Sequence, residues 1–277
     1  MINAAELGKE YLLSRLAGGL CCEFHQLRRG PSVAWTTCCV GSALTEFGAV
    51  PPEMVKAILA LQHRSGGWSY NALVSPDADS TLRAIQFLRK AGVKDEKVLG
   101  RAERFVLKHQ GSDGGFSTYL LRTARLLGYP DVRGWVSSHP CVSALALNLI
   151  RDERALHRAH QYLEKERRPY WWRTPLYVLY EMGRLPEQEV ESDDPVEMSL
   201  LLLLKTKLRI TDQETAIKLS SLQRLDGSWS PSQMFRVPRP HQLLPELTGA
   251  EEIVPDQQGI FSTSAAIVAL ARQGALF

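Results

Sequence analysis

A chain of 277 residues with 44% hydrophobic and 23% charged residues can bury a sizeable core and lies outside the compositions that remain disordered. Its formal net charge is only +3, with Lys and Arg interspersed among acids, which argues against nucleic acid as a partner. No leader is read at the N-terminus and the apolar run 200–204 is far too short to span a bilayer, so the expectation is a soluble, cytoplasmic protein.

Two kinds of helical segment alternate along the chain. Residues 6–15 are charged on one side and apolar on the other, as a helix between core and water should be. Residues 33–48, VAWTTCCVGSALTEFG, are instead small, hydroxylated and apolar nearly all round, which implies burial on both sides. Met54, Val55, Ile58 and Leu59 then recur at helical spacing and run into a turn, QHRSGGW, at 62–68. The doubly buried type returns at 77–92 and the one-sided type at 95–108, which ends in a second turn, QGSDGGF, at 110–116. Residues 139–150 are again doubly buried, 152–167 one-sided, and 174–183 and 194–205 doubly buried. The one-sided stretch 211–224 leads into a third turn, QRLDGSW, at 223–229, and 261–274 is the last doubly buried segment.

The three turns share one pattern: Gln, three residues, Gly, one residue, an aromatic. A signature repeated tens of residues apart marks repeated structural units. Gly accepts the left-handed conformation that ends a helix, the aromatic can fold back on the helix it terminates, and the Gln amide can tie the turn to backbone groups of a neighbouring helix end. These are staples before they are catalysts. About six doubly buried segments alternating with amphipathic ones predict an all-α fold, an α/α barrel or toroid of about six helical hairpins with inner and outer rings, and one domain over residues 1–277.

Residues 231–255 interrupt the last repeat with five prolines and no sustained period. Loops this long often cover sites. Arg236, Arg239 and His241 on it either meet an anionic substrate such as a diphosphate or are solvated loop charges. Cys21, Cys22, Cys38, Cys39 and Cys141 are odd in number, include two vicinal pairs and match no closed zinc pattern, so they read as buried reduced thiols.

The Q-x-x-x-G-x-W/F turns between paired helices resemble the QW motifs of the terpenoid cyclase and protein prenyltransferase superfamily, whose members use α/α barrels. Within it, squalene-hopene cyclases and class II diterpene cyclases look closest, because SPDADSTLRAIQFL follows the turn at Trp68 much as an Asp-rich D-x-D-D-T segment heads an inner helix in those enzymes. Laid on that pattern, Asp77 and Asp79 match its first and middle carboxylates, and Ser80 stands where the third would be. The resemblance implies Asp79 as proton donor to an alkene or epoxide and Asp77 as its electrostatic neighbour. It also implies a substrate site placed between two such barrels in those relatives, whereas only one is read here. The mouth of a lone barrel is open, or closed by loops or another subunit.

Physical reasoning reaches the same acid. A carboxyl facing an apolar cavity is desolvated, which raises its pKa and keeps a proton available near neutrality. The competing reading is that Asp77 or Asp79 merely caps the helix beginning near Ser80. Carbocations need stabilisation without a nucleophile, and Trp68, Tyr70, Trp171, Trp172, Tyr177 and Phe261 are the aromatic faces at turns or inner helices that would supply it. His139, heading another inner helix in SSHPCVSALAL, is a candidate proton relay or simply part of a helix start.

The expected function is acid-initiated cyclisation or isomerisation of an isoprenoid or other polyene-like molecule, a chemistry that requires neither metal nor cofactor. Two alternatives stand beside it: general acid/base chemistry with His139 on a non-terpenoid natural-product intermediate, and a non-catalytic barrel that binds a lipid or a protein. The expected partner is a hydrophobic small molecule; peripheral membrane contact and a homodimer or partner subunit at the barrel mouth are left open.

Overall fold

A computed structural model describes residues 2–275. Thirteen α-helices follow one another: α1 (Ile2–Ser14), α2 (Ala34–Leu44), α3 (Pro52–Ala60), α4 (Ala78–Lys90), α5 (Glu96–Leu107), α6 (Leu121–Arg125), α7 (Arg133–Val136), α8 (Pro140–Leu147), α9 (Glu153–Lys165), α10 (Leu176–Met182), α11 (Pro195–Lys207), α12 (Gln213–Ser221) and α13 (Ile260–Gly274). Among the described residues, β-structure is confined to isolated bridges. None of the described helices is long and apolar enough to cross a membrane.

Six helices close a ring through contacts of α2 with α4, α4 with α8, α8 with α10, α10 with α11, α11 with α13, and α13 back to α2. Outside it, α1 lies on α13, α3 on α2, α5 on α4, α9 on α8, and α12 on α11 and α13. The expected toroid of six inner helices is therefore borne out, and the inner set is the one that the small, hydroxyl-rich segments predicted. Three of the outer helices, α5, α9 and α12, begin on Asp caps. Asp95 accepts from the backbone of Lys97 and Val98, Asp152 from that of Ala155, and Asp212 from that of Thr215.

The repeated turns hold the rings together. Gln62 donates from its amide to the carbonyls of Gly66 and Val98, Gln110 to those of Gly114 and Ala155, and Gln223 to those of Gly227 and Ala4. Each Gln thus pins its own turn and the first turn of an outer helix, and the third joins the end of the chain to its beginning. Gly66, at φ +99°, lies so close to α5 that a Cβ would sit 2.5 Å from the Arg101 carbonyl oxygen, so no other residue fits. The aromatics fold back as expected: the indole N–H groups of Trp68 and Trp229 donate to the carbonyls of Ile58 and Leu219, each at 2.7 Å.

A further correspondence sets the register of the inner ring. The backbone N–H groups of Trp68, Phe116 and Trp229 donate to hydroxyls of Thr81, Ser143 and Thr263, and that of Cys21 to Thr37. These four hydroxyls occupy the same level of α4, α8, α13 and α2. Two residues before each stand Asp79, Cys141, Phe261 and Trp35. Asp79 is the one carboxylate among these four.

Candidate active site

The axis opens at the N-terminal end of the inner helices into a cavity of about 260 Å³. Its walls include Phe24, Trp35, Tyr70, Tyr119, Tyr129, Trp135, Trp171, Trp172 and Phe235, with Asp77, Asp79 and Thr118 as polar groups and Arg28, Arg29, Arg236 and Arg239 towards the rim. Residues 231–255 cover much of it. Arg173 and Arg236 exchange backbone bonds with Met234 and Trp171, Val254 donates to Phe235, and Val237 donates to Glu252, which lays this loop across the mouth. Its far end is seated on α7, where Trp135 donates from its indole to Pro238 and the Gly134 N–H to Pro240. A Cβ on Gly134 would come within 1.9 Å of the Gln242 carbonyl, so that seat requires Gly.

The two acids of α4 divide the roles that sequence alone left open. Asp77 is the cap: its Oδ1 accepts from the Ser80 N–H at 2.7 Å, while its Oδ2 is buried without a partner. Burial pushes its carboxyl up to about 7. Asp79 caps nothing. It retains some exposed surface, faces the cavity, and its Oδ2 accepts from the Trp35 indole at 3.0 Å. Burial raises its pKa, while the nearby Arg83 guanidinium and the Trp35 hydrogen bond pull it back. With Oδ2 taken by an N–H donor, Oδ1 is the oxygen free to carry the proton.

Tyr70, Trp171 and Trp172 stand in the cavity wall. Trp68 does not: it is fully buried and spends its N–H on Ile58, so it is a staple of the first turn. Tyr177 and Phe261 stand one layer behind the wall. Tyr177 stacks on Trp172 at 4.2 Å between centroids with a 4° tilt, and Phe261 packs on Trp35 at 5.2 Å and on Phe235 at 5.0 Å. They support the aromatic surface without forming it.

His139 is also displaced from the role read for it. Its ring is fully buried and stacked on Tyr170 at 4.0 Å, and burial lowers its pKa to about 4, so it is neutral. Nε2 lies 2.8 Å from the Gly134 carbonyl, which only a protonated Nε2 satisfies, leaving Nδ1 to accept from Thr118 Oγ1 at 2.7 Å. Thr118 in turn accepts from the Trp171 indole at 2.7 Å. Both imidazole nitrogens are engaged in orienting Trp171, and neither reaches the cavity. Among the loop cations, Arg239 is paired with Glu251 and Glu252, whereas Arg236 donates to the backbone carbonyls of Pro169 and Tyr170 and, among the described residues, has no carboxylate in salt-bridge contact, Glu246 acting on it from a distance. His241 lies on the exposed surface outside the lining.

Several wall residues escaped the sequence reading. Trp35 could have been found by setting Thr37 on Thr81, which places the indole at the level of Asp79 on the adjacent inner helix. Phe24, Tyr119, Tyr129 and Phe235 lie on irregular segments and Trp135 on the one-turn helix α7, whose course no periodicity reveals. Phe24 is in the left-handed region at φ +60°, a costly conformation for an aromatic residue. Buried Glu23 holds it there by accepting from the backbone N–H groups of Phe24, Gln258 and Ile260.

This is the fold of the type II terpene cyclases, and the likeness read from the sequence is borne out at that level. Over 99% of this chain and 97% of theirs, variants of the type II terpene cyclase MstE from Scytonema superpose at a TM-score of 0.83. One of them, bound to its substrate geranylgeranyl dihydroxybenzoate, is 22% identical to this chain, and another, bound to its product merosterolic acid A, is 21% identical. A protein from Actinoplanes superposes at 0.84 with 22% identity, covering 99% of both chains. In sequence, drimenyl diphosphate synthase of Streptantibioticus cattleyicolor is 25% identical over 195 residues, 66% of this chain and 33% of that enzyme. The matched stretch thus amounts to about a third of the length of this curated relative. No protein-family model matches the chain.

Proposed function

We propose that this protein is a class II-type cyclase that protonates an alkene of a linear prenyl chain and closes one or more rings. One observation carries this reading: Asp79 is the carboxyl of the inner ring that faces an aromatic cavity while a donor, Trp35, holds the oxygen opposite its proton. In the first step the alkene π pair forms a C–H bond with the Asp79 proton, and the O–H electrons remain on the carboxylate. The tertiary cation is then attacked by a second alkene to form a C–C bond. Finally, loss of a proton to water at the mouth regenerates a double bond, and the Asp79 carboxylate takes a proton back from water before the next turnover, so that product and substrate are isomers. The aromatic walls stabilise the travelling cation by roughly 2 kcal/mol per well-placed desolvated face, and they offer it no nucleophile. Asp77, with its buried unpartnered oxygen, is the acid's electrostatic neighbour. The engagement of both His139 nitrogens argues against the general acid/base alternative, and the placement of Asp79 within a walled cavity argues against a purely binding barrel.

The relatives support the class of molecule: one is named for the synthesis of drimenyl diphosphate, and another binds geranylgeranyl dihydroxybenzoate as its substrate. Both carry an anionic head on an apolar tail. Arg236, at the rim and without a bonded carboxylate among the described residues, is placed to receive such a head. Arg236→Ala is expected to raise KM about tenfold for head-bearing substrates, with kcat within a factor of two or three, as for a charge that binds ground and transition states alike; equal KM values with and without the residue would remove it from the site.

The reaction is tested by incubating the protein with farnesyl and geranylgeranyl substrates, as diphosphates and as prenylated hydroxybenzoates, in H₂O and in D₂O. An isomeric product of unchanged mass in H₂O, carrying one additional deuterium in D₂O, is expected. Product without deuterium would mean that ring closure is not started by protonation.

A further inference from the structure

Four residues along α4 from Asp79, Arg83 occupies the next layer down the axis. It is nine-tenths buried, yet it has no carboxylate in hydrogen-bonding contact among the described residues. Its Nη2 donates to Tyr177 at 2.8 Å and its Nη1 to Gln86 at 3.0 Å, and its Nε has no partner. The guanidinium carbon lies 5.5 Å from the centre of the Trp35 ring, whose N–H binds Asp79, and 5.3 Å from that of Tyr177, which stacks on the wall residue Trp172. Arg83 is thus wedged between the side chain that grips the acid and the side chain that backs the wall.

A buried cation without a bonded counter-ion is costly, and the molecule must balance it from a distance. Two carboxyls serve. Asp79 is one. Glu181, at the inner end of α10, is the other: it is buried, accepts from Asn148 at 2.9 Å through Oε2 and leaves Oε1 without a partner, and burial raises its pKa while the charges of Arg83 and, less, Lys207 pull it back. One cation shared by two carboxyls makes a neutral set only while one carboxyl keeps its proton.

We propose, building on the cyclase reading, that Arg83 is a positioning residue that sets the acid strength of Asp79, with Glu181 as its counter-charge. The set is neutral while Asp79 holds its proton and carries a single negative charge once the proton has moved to the alkene carbon, opposite in sign to the carbocation above it. The cation stabilises the departing carboxylate in place of water, and the anion limits that effect. This arrangement supplies from beneath the acid an electrostatic control that Ser80, where the Asp-rich pattern has a third carboxylate, cannot provide.

Of the remaining groups facing this set, two are charged, Lys90 and the exposed Lys207 of α11, which donates to the carbonyls of Tyr180 and Glu181, and the others stay uncharged through the working range. From α2, burial pushes Cys39 up to about 12; from α8, Cys141 up to about 11; from the cavity wall, Tyr70 up to about 12. Tyr177 and Tyr180 of α10 and Tyr119 are raised by burial as well. Lys90 of α4 is a cation paired with Glu46. Asp77, at about 7, titrates inside the range, so the comparison is made in an Asp77→Asn background as well as in the wild type.

Because Asp79 acts in its protonated form, activity is lost as pH rises through its pKa. Loss of the Arg83 charge raises that pKa, and loss of the Glu181 charge lowers it. Arg83→Gln is therefore expected to move the alkaline limb of the kcat profile up by about one pH unit while the plateau falls about tenfold, as a weaker acid requires. Glu181→Gln is expected to move the limb down, and Arg83→Lys to leave it near the wild-type position. The same shifts are read without substrate by NMR titration of the ¹³C-labelled Asp79 carboxyl. Thermal melts identify any variant that fails to fold. If Arg83→Gln does, the Glu181→Gln and Arg83→Lys profiles decide. Opposite shifts from the two neutral substitutions support the proposal, since a purely structural role would not reverse sign. An unmoved carboxyl titration, or shifts in the same direction, overturns it. Should the wild type make no cyclic product while the carboxyl shifts appear as described, the electrostatic set stands and the cyclase reading falls.

Discussion

Asp79→Asn is expected to abolish cyclisation, with turnover reduced about 10³-fold or more, while prenyl substrates still bind. The amide preserves the volume of the side chain and can still accept from the Trp35 indole, so the wall keeps its shape. What it loses is an acidic proton: an amide N–H is far too weak an acid to protonate an alkene. Single-turnover assays, with binding followed separately by quenching of the wall tryptophans, distinguish loss of chemistry from loss of affinity. Asp77→Asn is the matched control. Asn caps a helix about as well as Asp, so α4 is expected to keep its start, and the activity loss is expected to be smaller than that of Asp79→Asn. If Asp79→Asn retains more than a tenth of wild-type turnover while Asp77→Asn does not, the acid is Asp77, and the unpartnered Oδ2 would then be the oxygen that faces the substrate.

The ring was legible in the sequence because its physics is local. Helices apolar all round must lie inside, helices with one charged face must lie outside, and a Gly at positive φ with an aromatic two residues on ends three of the outer helices at a fixed offset from its Gln. Asp79 was singled out through the Asp-rich segment heading α4, and the structure adds that the residues at its level of the ring are Trp35, Cys141 and Phe261. His139 misled for the same reason: it begins an inner helix as Asp77 does, its backbone N–H donating to Phe116 as that of Asp77 donates to Trp68. Register alone could not show that its ring turns away from the axis towards Gly134 and Thr118. The cavity wall was the least legible part. Tyr119, Tyr129, Trp135 and Phe235 are brought together by non-local contacts of two segments outside the repeated helices, where no period links residue type to direction. Arg83 illustrates a different limit. At i+4 from Asp79 it reads as one half of an ordinary helical ion pair, and only the closed ring reveals that it is buried without a bonded carboxylate.

The largest loss of stability is expected at Trp229, far from the chemistry. Trp229→Ala should destabilise the fold by about 3–5 kcal/mol, the range for emptying a buried large aromatic site. The side chain is fully buried, its indole N–H donates to Leu219 at the end of α12, and its backbone N–H donates to Thr263 in α13. It also packs where a Cβ on Gly8 of α1 would sit 3.0 Å from its ring. One residue therefore joins an outer helix, the last inner helix and the first helix of the chain. The substitution opens a void at the seam where the ring closes, and the neighbouring Gln223 bond to Ala4 then bears on a loosened turn. Urea denaturation is expected to show a lower midpoint with the same slope, and a thermal melt a fall of roughly 10 °C. At 15 °C, where the variant remains folded, turnover should stay within a few-fold of wild type, because Trp229 does not line the cavity. Asp79→Asn should give the reverse pattern, full stability and no turnover. A Trp229→Ala protein that melts within 2–3 °C of wild type would show that the closing seam is held by the Gln223 amide bonds instead of by the packed indole, and Gln223→Leu would then become the substitution that opens the ring.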